Sequence, residues 1–222
     1  MKALILGSTG LVGGELLNLL INDNLFDEIH LINRRKSGIL SEKIKEYVVD
    51  FELFEDIDLP PIDVLYITFG TTIKTAGSKQ NQWKIDVDIP TKVMEFAKGK
   101  GVENCVLISS LGVSKKSMFF YSRMKAQLDE NAKNCGFNKL IIIKPSVLDG
   151  NRKEERFGEK FSIQIGNLLG KTGLIDAYRP VKAKNVAATM IQRSIESTEK
   201  QTEIVSKDIP FWAKRYFSEK KE

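Results

Sequence analysis

Two stretches carry residues whose types and spacing can do chemistry. The first is GSTGLVG, Gly7 to Gly13, where glycine recurs at every third position directly after the apolar run Ala3 to Leu6. A glycine-rich turn that ends a strand and opens a helix is an anion cradle. Gly7 permits the tight turn, Gly10 lets the backbone approach a pyrophosphate, and Gly13 lets helix and strand pack closely. Ser8, Thr9, Leu11 and Val12 complete the loop, whose helical N–H groups and positive dipole end attract the phosphates. The second stretch is NRRK, which puts Arg34 and Arg35 at the carboxyl end of a strand predicted over Glu28 to Asn33. An acidic residue there accepts from an adenosine 2′-hydroxyl, whereas arginine accommodates a 2′-phosphate. The pair predicts a dinucleotide site that prefers NADPH to NADH, against the plainer reading of NRRK as a solvated basic turn.

Other candidates sit where further strands end. Asp50, with Phe51, closes a strand predicted over Glu46 to Phe51 and is placed either to meet an adenine edge or only to start a turn. Gly70, Thr71 and Thr72 end the strand of Asp63 to Thr72, where ligands of open parallel sheets bind. Ser109 and Ser110 end the strand Asn104 to Ser110, and Tyr121 and Lys125 follow at i and i+4, on one face of a helix. The single histidine, His30, lies inside a strand, which disfavours a Ser-His-Asp mechanism or a histidine metal site. Cys105 and Cys135 have no metal-ligand spacing and read as buried free thiols, so no metal is expected.

The elements that must position these residues alternate between short apolar runs and amphipathic stretches. Strands are expected at 3–6, 28–33, 46–51, 63–72, 104–110 and 139–145, with helices after Gly10, over 78–98, from near Tyr121 and over 184–195. Pro90 is expected to kink or restart the second of these. Trp83 and Met94 read as core there. The tail Lys214 to Glu222 reads as a solvated end. This alternation predicts an α/β protein with a doubly wound parallel sheet, a Rossmann fold, in a single domain over 1–222. Residues 146–222 are expected to add a small carboxyl-terminal substrate lobe with an amphipathic stretch near Phe157 to Leu169. The 222 residues, 42% hydrophobic and 28% charged, suit one such domain, and no apolar run reaches membrane-span length. A net charge of +5 fits an anionic ligand and falls short of a nucleic-acid interface. Because the chain enters a strand at once, a cytosolic protein is expected; the sequence leaves its oligomeric state open.

Taken together, GSTGLVG, NRRK, VVDFE, FGTT with KTAG, LISSLG, YSRMK and KPSVLDGNRKEERFGE resemble the short-chain dehydrogenase/reductases. Within that superfamily they look most like the compact, atypical Tat-interacting-protein-like oxidoreductases. The likeness runs from about Met1 to Ile195 and rests on the order of the set more than on any one motif. It implies Tyr121 as acid/base, Lys125 as its activator and ribose contact, and Ser109 as the hydroxyl orienting a substrate carbonyl. Ser109 is preferred to Ser110 for its twelve-residue separation from Tyr121. Pro145 and Val147, after the sixth strand, are expected against the cofactor.

A phenol near pKa 10 is a poor base at neutral pH, and the Lys125 ammonium is expected to lower it; two units correspond to roughly 2.7 kcal/mol. The sequence departs from better-known members at KIDVD, where Asp86 and Asp88 stand and no Asn occurs between Gln82 and Pro90. The resulting expectation is NADP(H)-dependent reduction of a carbonyl, or oxidation of an alcohol, on a small or medium organic molecule. A nucleotide sugar, which larger relatives enclose with a longer carboxyl-terminal domain, is disfavoured. The alternatives are an NADPH-binding redox sensor that regulates a partner, whose mark would be a lost Tyr or Lys, and a nucleotide-binding scaffold.

Overall fold

Strand β1 (Lys2–Leu6) is covered on both faces, with Ala3 to Leu6 fully buried, which is why its apolar run shows no alternation. The computed structural model describes residues 1–51, 57–149 and 179–220. Around β1 a seven-stranded parallel sheet forms from β2 (Glu28–Asn33), β3 (Ile44–Val48), β4 (Val64–Ile67), β5 (Asn104–Ile108), β6 (Lys139–Lys144) and β9 (Gln201–Val205), in the order β3-β2-β1-β4-β5-β6-β9. Leu6 pairs with Ile32 on one side and with Ile67 on the other. Chain order therefore reverses at β1 and β4, and the loops leaving their carboxyl ends diverge to open a crevice. A two-stranded parallel pair, β7 (Leu148–Asp149) with β8 (Val181–Lys182), lies beyond β6.

Helices α1 (Leu11–Ile21), α6 (Ala183–Glu196) and α7 (Ile209–Glu219) pack on one face of the sheet. The other face is covered by α4 (Ile89–Gly99) and α5 (Phe120–Asn134). This is the doubly wound α/β architecture expected.

Several boundaries differ from the expectations. The third strand ends at Val48, so Asp50 and Phe51 lie past it: Asp50 is exposed, and Phe51 is buried with its ring 5.4 Å from that of Phe69. The long helix over 78–98 is broken into α3 (Lys79–Trp83), a π-helical turn (Lys84–Asp88) and α4, with Pro90 in the first turn of α4. Proline has no N–H to give the carbonyl four residues back, so Asp86 lacks that bond and the wider turn forms where it is missing. Met94 is fully buried as expected, while Trp83 is half-buried against Phe120.

The expected lobe at 146–222 divides differently. Residues 150–178, including the stretch near Phe157, lie outside the described residues, as do 221 and 222. From β8 onward the chain builds the main body. β9 adds an edge strand beside β6, and its pattern of one buried residue in five hides it from a search for apolar runs. The supposed solvated end is largely α7, which docks on the α1 side through Tyr216, only 3% exposed. The Tyr216 hydroxyl donates to Asp23 Oδ2 at 3.2 Å, and Lys220 Nζ lies 2.5 Å from Asp23 Oδ1. Farther in, the Tyr66 and Ser194 hydroxyls meet at 2.7 Å and tie β4 to α6.

Tyr216→Phe leaves a buried carboxylate oxygen short of a donor. Urea unfolding should show a loss of about 2 kcal/mol, and an unchanged midpoint would mean that the Tyr216 hydroxyl adds nothing to the docking of α7.

Candidate active site

The crevice is lined from four directions: Gly10 and Val12 from the first loop, Thr68 to Thr72 from the end of β4, Ile108 to Ser110 from the end of β5, and Pro145 to Leu148 after β6. Asp86, Tyr121 and Lys125 close it from the helices. Of the residues singled out by sequence, Gly10, Val12, Gly70, Thr71, Thr72, Ser109, Tyr121, Lys125, Pro145 and Val147 meet there.

Close backbone packing builds the first wall. Gly7 has φ +98°, and a Cβ on it would stand 2.7 Å from the Phe69 nitrogen. A Cβ on Gly13 would stand 2.0 Å from the Gly7 carbonyl oxygen and 2.6 Å from Thr68 Oγ1. That hydroxyl donates to the carbonyls of Leu6 and Gly7, both at 3.1 Å, and so ties the β4 end to the turn. Gly10 differs, because its added Cβ would find its nearest neighbour at 3.3 Å. It is the N-cap of α1, whose first turn holds neither an acidic side chain nor a side-chain cap. The N–H groups of that turn have no intrahelical acceptor, and with the dipole they make a fit cradle for a pyrophosphate.

Four other loop residues do not line the crevice. Gly7 makes the turn, Ser8 is buried with its hydroxyl donating to Asn33 Oδ1 at 2.9 Å, Thr9 is exposed, and Leu11 packs on the core. Arg34 and Arg35 are exposed just past β2, outside the crevice lining, as are Asp50 and Phe51. Glu46 on β3 was not foreseen. Its Oε1 accepts from Asn33 Nδ2 and from the Ser37 backbone N–H, each at 2.7 Å, and so braces both ends of the basic turn. Nothing in the spacing announces it, since Glu46 and Asn33 belong to neighbouring strands.

Both serines line the crevice together with Tyr121 and Lys125. Ser110 eases the Tyr121 phenol toward ionisation, whereas the Ser109 Oγ is buried with no hydrogen-bond partner among the described residues. Successive residues point to opposite sides of an extended chain, so the sequence separation alone cannot choose between them. Tyr121 is half-buried, and its phenol stands above its ordinary value because burial prevails. Lys125 and Ser110 oppose that rise, while the Asp86 and Asp129 carboxylates add to it. The expected lowering by lysine is therefore present as a tendency and overridden.

Burial also pulls down the Lys125 ammonium, yet Asp86, Tyr121 and Asp129 together raise it above the lysine range. Lys125 Nζ lies 3.6 Å from Asp86 Oδ1. The second oxygen of Asp86 accepts the Thr71 N–H at 2.8 Å, and Gln82 Nε2 donates to the Thr71 carbonyl at 3.1 Å. Thr72 caps the short helix α2 (Ile73–Ala76) by accepting the Thr75 N–H, so its hydroxyl serves the fold as well as the crevice. Of the two cysteines, Cys105 is buried and Cys135 half-buried, both free, with the Cys105 thiol pushed well up by burial. Neither lines the crevice.

No family model matches the sequence. Curated relatives do. The chain is 32% identical over 208 residues to the protein FMP52, mitochondrial, of Candida glabrata, covering 90% of this chain and 88% of the relative. It is 34% identical to the protein fmp52, mitochondrial, of Aspergillus niger, covering 78% and 79%. Mitochondrial names recur among such relatives and overturn the expectation of a cytosolic protein.

Among solved structures, the UDP-glucose 4-epimerase of Thermotoga maritima with UDP-glucose superposes with a TM-score of 0.69 at 14% identity, over 98% of this chain and 82% of the other. MoeE5 in complex with UDP-glucose and NAD gives 0.66 at 13%, over 97% and 82%. At such identities the likeness speaks for the Rossmann fold. It does not extend to the finer resemblance to the Tat-interacting-protein-like oxidoreductases.

The two kinds of glycine should separate experimentally. Gly13→Ala forces backbone atoms apart and should cost about 3 kcal/mol or more in chemical unfolding. Gly10→Ala should cost under about 1 kcal/mol and instead weaken dinucleotide binding at least tenfold in fluorescence titration. Equal effects on stability would contradict the division of labour described here.

Proposed function

The chain belongs to the family of the FMP52 proteins, and from that premise we propose that it is an NADPH-dependent oxidoreductase of the short-chain dehydrogenase/reductase type. It reduces a carbonyl, or oxidises the matching alcohol, on a small or medium organic substrate. The observation that carries this reading is the meeting of Tyr121, Lys125 and a strand-end serine in one crevice with the phosphate cradle of α1. A purely structural nucleotide site can use the lysine for its ribose but leaves the phenol and the serines beside it without a task. The names of the relatives favour a mitochondrial location, and the likeness to the Tat-interacting-protein-like oxidoreductases remains part of the proposal.

The nicotinamide supplies or accepts the hydride, and the protein manages position and protons. Gly10 and the first turn of α1 hold the pyrophosphate, with Gly70 to Thr72 and Pro145 to Val147 facing the same crevice. Lys125 binds ribose hydroxyls and stabilises charge on Tyr121. The Tyr121 hydroxyl gives its proton to the carbonyl oxygen during reduction and takes it back during oxidation. Ser109, whose buried hydroxyl has no partner among the described residues, orients the carbonyl, with Ser110 beside it in the same crevice. Burial holds the phenol protonated in the free protein, which suits an acid in the reductive direction.

Preference for the 2′-phosphate rests on Arg34 and Arg35. Glu46, the acid near this turn, is engaged in bracing it, and both arginines extend from a turn fixed at Asn33 and Ser37. Each charge-assisted contact to phosphate contributes roughly 1.5 to 3 kcal/mol. Dissociation constants should favour NADPH over NADH at least tenfold, and the double change of Arg34 and Arg35 to Ala should erase the difference; equal affinities in the unaltered protein would refute the assignment.

Tyr121→Phe removes the hydroxyl and keeps the ring. Turnover of a responsive aldehyde, ketone or quinone should fall by roughly 10² to 10⁴, with NADPH affinity changed less than a few fold. No cofactor oxidation by the unaltered protein across a broad panel of such substrates would point instead to a cofactor sensor.

A further inference from the structure

Asp86 is 1% exposed and occupies the middle of the π-helical turn between α3 and α4. Each extra residue in a helical turn rotates the side chains that follow by about 100° relative to a regular helix, and π-turns recur at functional sites. Here the turn directs one carboxylate inward and leaves its near neighbour Asp88 exposed. Asp86 then ties three elements: it accepts the Thr71 N–H at 2.8 Å beyond β4, it pairs with Lys125 of α5 at 3.6 Å, and it sits on its own turn. Room for it is made at Gly70, where a Cβ would stand 2.9 Å from Asp86 Oδ1 and 3.8 Å from Lys125 Nζ.

Resting on the oxidoreductase reading, we propose that Asp86 is a positioning residue that aims the Lys125 ammonium at the cofactor ribose and the Tyr121 phenol, and keeps it charged. Among the described residues the groups facing Lys125 are few. Tyr121 and Asp129 lie one turn away on its own helix, and Asp86 faces it from the π-turn. Asp129 is itself engaged by Lys144 of β6 at 3.3 Å. Among the described residues Asp86 is thus the carboxylate paired with Lys125. A lysine taken out of water without such a partner loses its proton readily, and a neutral amine stabilises neither a phenolate nor its own orientation. Gly70 acts with it, since any side chain there would push the carboxylate away.

A plain structural role, in which the ion pair merely fastens α4 to α5, would lower stability when Asp86 is changed without a specific effect on the amine. The discriminating measurement is therefore the titration of Lys125 Nζ itself, followed by ¹⁵N NMR of lysine-labelled protein and assigned with Lys125→Met. Asp86→Asn keeps the shape and an acceptor for the Thr71 N–H. It should lower the Lys125 titration by about one to three pH units. It should also weaken NADPH binding roughly tenfold, as befits one charge-assisted contact. The double change Asp86→Asn with Lys125→Met should bind NADPH no more weakly than Lys125→Met alone.

Gly70→Ala, which displaces the carboxylate and keeps both charges, should move the Lys125 titration in the same direction, and it decides the question if Asp86→Asn does not fold. A Lys125 titration unchanged in the folded variants, or losses of affinity that multiply in the double change, would overturn the proposal. Failure of the unaltered protein to bind any nicotinamide dinucleotide would refute the proposed function, and the NMR titration would still decide the place of Asp86.

Discussion

The approach of α1 to the end of β1 is the constraint on which the rest of the structure depends. Two backbones meet there with no space for a single methyl group: the Gly7 carbonyl lies against Gly13, and the Phe69 nitrogen lies against Gly7. Thr68 completes the contact by donating to both Leu6 and Gly7. Because the helix starts so close to the sheet, its first N–H groups open directly above the point where the loops after β1 and β4 part. Every other wall of the crevice is placed relative to that point. Moving α1 outward by even a side-chain radius would separate the anion cradle from Lys125 and Tyr121.

Much of this was legible because it depends on local rules. Three glycines between an apolar run and an amphipathic one have few conformations open to them, and parallel strands buried on both faces announce themselves as unbroken runs such as Ala3 to Leu6 and Leu140 to Ile143. Tyr121 and Lys125 had to share a face once their segment was helical. The sequence was silent where the decisive partner comes from elsewhere in the chain. β9 pairs by backbone hydrogen bonds and buries only Ile204 deeply, so its side chains carry little signal. Glu46 reaches the basic turn across two strands. The choice between Ser109 and Ser110 is a one-residue difference along an extended chain, which spacing arguments cannot resolve.

The buried charges obey the same division between local and distant causes. Burial pushes the Tyr121 phenol up by more than the nearby Lys125 ammonium pulls it down, and Asp86 and Asp129 add to the rise. A motif read as a pair is in the folded protein part of a cluster of four titratable side chains. Its net balance is set by the packing of α5 against the π-turn as much as by the residues of α5.

The hydrogen bond between Tyr216 and Asp23 joins residues 193 positions apart, and this has a consequence for how the chain is made. The apolar side of α1, with Leu16, Leu17 and Leu20 fully buried in the finished protein, shares its core cluster with α6 and α7, which lie far later in the chain. At translation rates of about 5 to 20 residues per second, roughly 10 to 40 s separate the emergence of α1 from that of α7. Through that interval the cover over this side of α1 is incomplete. Contacts of such long sequence separation also slow the final collapse. Tyr216 and Asp23 thus meet late, and α7 closes over a core whose first layer is made well before it.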